Sequence, residues 1–135
     1  MERLLVIDSC MRPESRTRKI LEAAKEALAS RYEIESIDVN AAGLLPITPE
    51  VLAERTSGIV PEPIVALARK IAAADRLVVA APFWDMSFPA VLKTFFENMS
   101  LFGETFTDNG ETCVGLCRCK KVMYITTRGM NIETG

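Results

Sequence analysis

With 135 residues, 49% of them hydrophobic and 25% charged, the chain has the length and apolar content of one globular domain (residues 1–135) with a real core. A net charge of −2 and a pI near 5.3 leave no basic footprint, which argues against a nucleic-acid partner. No apolar run approaches the roughly 18–20 residues of a spanning helix, and MERLLVIDSC enters a strand-like run without a signal-peptide core, so no membrane and a cytoplasmic location are expected.

Residues 3–8, RLLVID, are a short apolar run that predicts a strand. Ile20, Leu21, Ala24 and Leu28 then recur at helical spacing within residues 15–32, and YEIESIDV (32–39) alternates at the period of a second strand. Residues 40–63 are rich in Pro, Gly and Thr, with a short helix expected near 49–55. An irregular stretch of that length suggests a functional cover. Ile64, Leu67, Ala68 and Ile71 mark the next helix, with Pro63 in its first turn, where a missing N–H does little harm. RLVVAAP (76–82) predicts a third strand, FPAVLKTFFENMSLF a helix from about residue 88, and KKVMYITT (120–127) a fourth strand.

Strands alternating with helices imply βαβ units and a parallel sheet with helices on both faces. The apolar first, third and fourth strands suit burial on both sides. In such sheets ligands sit beyond the carboxyl ends of the strands, where the strand order reverses, so three loops carry the functional question.

The first loop, DSCMRPESRT (8–17), offers Ser9, Ser15 and Thr17 as hydroxyl donors, the Arg16 guanidinium and the free amides of a helix N-terminus, which together suit an anion. The plainer reading is a Ser N-cap with solvated arginines. Neither G-x-x-x-x-G-K-[ST] nor G-x-G-x-x-G occurs, so neither a nucleoside triphosphate nor a Rossmann dinucleotide is indicated. The second loop, PFWDMSF, puts aromatics at the same edge, either to cover the sheet or to meet a flat ring. The third, TTRGM (126–130), combines hydroxyls, Arg128 and Gly129, and reads as a polar turn or as the border of a ring that becomes anionic.

Cys10, Cys113, Cys117 and Cys119 do not make a disulfide framework. The C-x3-C-x-C cluster lacks a histidine, so Cys10 or a carboxylate would have to complete a tetrahedral metal site. Free thiols and no metal are expected.

The order RPESRT, then APFWDMSFPAVLKTFFEN, then GETFTDNGETCVGLCRCKKVMYITTRG resembles the flavodoxin-like FMN-dependent NAD(P)H oxidoreductases, the group that includes quinone reductases and azoreductases. That resemblance implies a doubly wound sheet of strand order 2-1-3-4, with the family's fifth strand and final helix not expected before the chain ends at Gly135. It further implies that Ser9, Ser15, Arg16 and Thr17 hold the FMN phosphate, that Pro82, Phe83, Trp84, Asp85 and Met86 line the ring, and that Thr126, Thr127, Arg128 and Gly129 border its pyrimidine edge. NAD(P)H is the implied donor, and a small-molecule acceptor (quinone, azo compound or nitroaromatic) takes the electrons in a second step at the same site. A homodimer is also implied, with Gly103, Thr105 and Phe106 reaching the partner's pocket. Many members carry two glycines where this chain has Gly129-Met130.

Asp85 has to be compatible with an anionic reduced ring. A carboxylate about 4 Å away would repel it by roughly 4 kcal/mol at an effective dielectric of 20, so Asp85 is expected to lie away from ring N1, to accept a ring N–H, or to pair with Arg128. Two rivals remain at this level. One is a flavin-free domain with a structural or interaction role. The other is a phospho-acceptor domain using Asp8, which lacks the expected acidic neighbours.

Overall fold

The computed structural model describes residues 1–129, so Met130 lies outside the described residues. Ten elements follow one another: β1 (Glu2–Asp8), α1 (Arg16–Leu28), β2 (Tyr32–Asp38), α2 (Pro49–Thr56), α3 (Glu62–Ala73), β3 (Arg76–Ala80), α4 (Ala90–Met99), β4 (Phe106–Asp108), β5 (Cys113–Gly115) and β6 (Lys121–Ile125). Four strands form a parallel sheet in the order β2-β1-β3-β6. This is the expected flavodoxin-like order, with a two-stranded hairpin, β4-β5, placed before the last strand.

The hydrophobic period explains the layering. Along β1, Leu5 and Ile7 face one side and Leu4 and Val6 the other, and all four are buried. Leu5, Ile7 and Val79 meet Ala68 and Ile71 of α3 and Leu92 and Phe95 of α4. Leu4, Val6, Val78 and Ala80 meet Leu21 of α1 and Cys10. The helix starts follow local chemistry: Ser15 Oγ accepts from the Arg18 N–H at 3.1 Å and Thr48 Oγ1 from the Val51 N–H at 3.2 Å. Pro89 precedes α4 in extended conformation, so that helix begins at Ala90, two residues later than the sequence suggests.

Three features depart from the sequence reading. The last parallel strand is not buried on both sides, because it is the sheet edge among the described residues: Val122 is 60% and Tyr124 52% exposed, and only Ile125 is buried. The hairpin escapes a periodicity argument because each strand has three residues. Its signal is Asn109-Gly110, with Gly110 at φ +93° and Asn109 Oδ1 accepting from the Glu111 and Thr112 N–H groups at 3.0 Å.

The third departure concerns residues 40–63, which line no part of the cleft described below. They cover the α3–α4 side of the core instead, with Leu44 and Val60 packed against it. Asn98, 2% exposed near the end of α4, holds them there. Its Nδ2 donates to Leu45 O at 3.0 Å and to Thr94 O at 2.9 Å, and its Oδ1 and backbone O accept from Arg55 Nη2 and Nη1 at 3.0 and 3.2 Å. Burial lowers the Arg55 pKa, and its Nε finds no partner among the described residues.

Asn98→Ala removes the Oδ1 acceptor of Arg55 Nη2 and the donor to the Leu45 carbonyl together, leaving Arg55 only its bond to the backbone O of residue 98. We expect a loss of about 3 kcal/mol in urea unfolding, accompanied by faster proteolytic cutting within 40–63.

Candidate functional site

The carboxyl ends of β1, β3 and β6 open onto one cleft of about 440 Å³, lined by the three loops singled out above. From the first loop come Arg12, Ser15, Arg16 and Thr17, from the second Pro82, Phe83 and Trp84, and from the third Thr127, Arg128 and Gly129. Arg12 joins the expected set, as do Met11 and Glu14. All three lie inside the 8–17 stretch, and only their neighbours had been assigned a role.

The first loop is held from within. Asp8 Oδ1 accepts from the Cys10 N–H at 2.9 Å and Asp8 Oδ2 from Arg18 Nε at 3.3 Å. Arg18 also donates to Arg12 O at 3.1 Å and Cys10 O at 2.9 Å, so its fork closes the loop on itself. Arg18 is thus a positioning residue that sequence reasoning passed over, one turn into α1 and outside the loop. Asp8 is engaged as an internal anchor, which removes the basis for a phospho-acceptor reading. Burial, assisted by the Asp8 charge, pushes the Cys10 thiol up to about 11, leaving it inert.

The loop residues then divide by task. Ser9 is fully buried, and its Oγ donates to Ala80 O at 2.8 Å, so it closes the β1–β3 pair and does not line the cleft. Ser15 caps α1, while Arg16 is exposed at the cleft wall. The amides of Arg16 and Thr17 belong to the first turn, where no carbonyl of the helix reaches them, and the dipole adds partial positive charge. Thr17 is 1% exposed, and its Oγ1 lies 2.8 Å from Thr127 Oγ1.

The second loop folds into a tight turn in which Trp84 and Ser87 exchange backbone bonds of 2.7 and 2.8 Å. Asp85 at φ 48° and Met86 at φ 65° occupy the left-handed region, which disfavours a side chain such as that of Met. Both are exposed at the tip and neither lines the cleft. Phe83 is anchored by its N–H to Thr127 O at 3.2 Å. In the third loop the Arg128 guanidinium sits 5.1 Å from the centre of the Phe83 ring, a cation–π contact at the cleft wall. Thr126 turns instead to a neighbouring apolar groove of about 680 Å³, beside Phe88, Phe96 and Tyr124.

Gly103 and Thr105, just before the hairpin, and Phe106 at its start lie outside this cleft. Gly103 has φ +86° and donates to Phe106 O at 2.7 Å. Thr105 Oγ1 donates to Met99 O at 2.6 Å, and the Phe106 ring meets Phe102 edge-on at 5.7 Å, with Phe102 exposed. Cys113 and Cys117 are exposed thiols and Cys119 is half-buried. No group of three or more potential metal ligands occurs among the described residues.

Chemically, the cleft offers three guanidinium groups against one carboxylate, an open helix end and a flat aromatic wall. Such a set can hold an anion at one end and a planar ring at the other.

Comparison with known proteins agrees with this geometry. A family described as having a flavodoxin-like fold matches residues 2–135. The chain is 33% identical to the FMN-dependent NADH:quinone oxidoreductase 2 of Clostridium acetobutylicum over 147 aligned residues, which span 100% of this chain and 72% of the relative. Among solved structures it resembles an azoreductase from Bacillus anthracis with a TM-score of 0.79 at 24% identity, over 100% of this chain and 73% of the other. It also resembles the NAD(P)H:quinone oxidoreductase from Methanothermobacter marburgensis with a TM-score of 0.83 at 22% identity, over 98% and 69%. Both structural likenesses speak to the fold alone. Taken with the relative from Clostridium acetobutylicum, the family match has a plain meaning: the chain belongs to the flavodoxin-like FMN-dependent NAD(P)H oxidoreductases.

Proposed function

We propose that this protein takes hydride from NAD(P)H and passes electrons, in a second step at the same site, to a quinone, azo compound or nitroaromatic. One observation carries the reading: a single cleft joins the open end of α1, with Arg16 beside it, to the wall of Phe83 and Trp84. A ligand with one phosphate and one flat ring engages both ends. FMN, when bound, supplies the hydride-accepting and electron-donating ring chemistry.

The residues then have distinct work. Arg16 and the first-turn amides of α1 hold the phosphate, and Arg12 adds positive charge at the same end. Pro82, Phe83 and Trp84 shield one region of the ring from water. Thr127, Arg128 and Gly129 form its polar border, where the Arg128 charge, steadied over Phe83, favours a ring that gains negative charge. No side chain is assigned as a nucleophile, and the chain contains no histidine to serve as a general acid.

The working unit in this reading is a cytoplasmic homodimer of one-domain chains, in which Gly103, Thr105 and Phe106 approach the partner's cleft. The exposed apolar side chains of Phe102, Val114 and Leu116 on and beside the hairpin support such a contact. No described helix is long and apolar enough to cross a membrane.

Reconstitution with each flavin tests the proposal, and FMN is expected to bind more tightly than FAD, because the β1–α1 loop supplies one phosphate site. Equal or tighter FAD binding overturns the reading. Arg16→Ala is expected to weaken FMN by about tenfold or more while changing riboflavin by less than about twofold. Ser15 is a poorer probe, since its loss also removes the cap of α1. Arg128→Ala is expected to lower the midpoint potential of bound flavin by about 30 mV for each tenfold of differential binding lost, read by potentiometric titration. An unchanged potential removes Arg128 from the electrostatics of the ring.

A further inference from the structure

We propose that the Thr17–Thr127 hydrogen bond is a strut coupling the two halves of the cleft, so that an anion bound at the α1 end tightens binding of a flat ring at the aromatic end. The inference rests on the FMN reading above and deepens it. Thr17 is the second residue of α1 and is buried at the cleft wall, with its hydroxyl engaged in the 2.8 Å bond with Thr127. Thr127 in turn uses its carbonyl to accept the Phe83 N–H at 3.2 Å. One residue therefore grips the anion end by its side chain and the ring wall by its main chain.

The physical basis is the stiffness of the linked parts. Threonine is β-branched and restricted at χ1, so the hydroxyl bond transmits position rather than absorbing it. Just below, the Ser9 N–H and Oγ both donate to Ala80 O, at 2.9 and 2.8 Å, which fixes the strand ends from which the first two loops spring. An anion on the first-turn amides holds the start of α1, the strut holds Thr127, and Thr127 holds Phe83. Ordering achieved by the first ligand then need not be repeated by the second, which is a coupling free energy between two subsites.

The test uses inorganic phosphate and riboflavin as separate probes of the two ends, with the ratio of riboflavin dissociation constants without and with saturating phosphate as readout. For the wild-type chain that ratio is expected to be about fivefold or more, with riboflavin raising phosphate affinity by the same factor. In Thr17→Val/Thr127→Val, which replaces both hydroxyls by methyls of similar shape, the ratio is expected to fall below about twofold. Should the double valine variant fail to fold, Thr17→Val alone, which removes one hydroxyl of the pair and keeps the β-branched shape, is expected to bring the ratio below about twofold, and a wild-type ratio in that variant overturns the strut. A wild-type ratio near one, or coupling that survives the double valine substitution, overturns the strut. Failure of the wild-type chain to bind FMN or riboflavin at all overturns the FMN reading and the strut together, whereas FMN binding without phosphate coupling overturns the strut alone.

Discussion

The pairing of β1 with β3 decides where everything else can lie. The two strands run in register from Leu4–Arg76 to Asp8–Ala80, and Ser9 closes the end of the pair on the Ala80 carbonyl. Because both strands are buried on both faces, neither can slip by one residue without turning its apolar side chains to the wrong layer. Strand β2 on one flank and β6 on the other leave β1 and β3 at the centre, with the chain leaving them in opposite directions across the sheet. The gap between their outgoing loops is the cleft, and its existence follows from connectivity before any ligand is considered.

Charge in the site is arranged by separating the arginines into different tasks. Arg18 is spent inward on Asp8 and two loop carbonyls, Arg16 faces the cleft at the helix start, and Arg128 lies over Phe83 at the far wall. Had Arg18 faced outward, the loop would lose its internal closure, and the Asp8 carboxylate would offset some of the positive charge that an anion requires. Glu14, among the lining residues, is the one acid left in the cleft. The hydroxyls divide in the same way, with Ser9 and Thr17 supporting the loops from beneath.

Much of this was legible in the sequence, and the limits have physical causes. The four parallel strands follow from apolar runs and helical spacing, which are local, whereas their order came from the family resemblance. The three cleft loops could be named because strand ends in such a sheet are ligand sites whatever their composition. What could not be read was direction: Ser9, Asp85 and Met86 sit in the right loops yet line no part of the cleft, because a two-residue turn and a strand-closing bond decide where they go. Arg18 was missed because a helix-face arginine looks the same in sequence whether it is solvated or holds a loop. The exposure of β6 was missed because Val122, Met123 and Tyr124 carry the composition of a buried strand while occupying an edge.

The separation of Thr17 and Thr127 by 110 residues has a consequence for how the protein assembles. Strands β1, β2 and β3 lie within the first 80 residues, so most of the sheet and the whole anion end of the cleft can form while the rest is still being synthesised. Thr127 joins α1 to the aromatic loop across 110 residues, and at about 5–20 residues per second it leaves the ribosome seconds after the parts it connects. Until then the aromatic loop lacks the carbonyl that holds Phe83. The nascent chain therefore passes through a stage in which the α1 end of the cleft is built and Phe83 is not yet held, and a ligand that needs both ends waits until Thr127 has emerged.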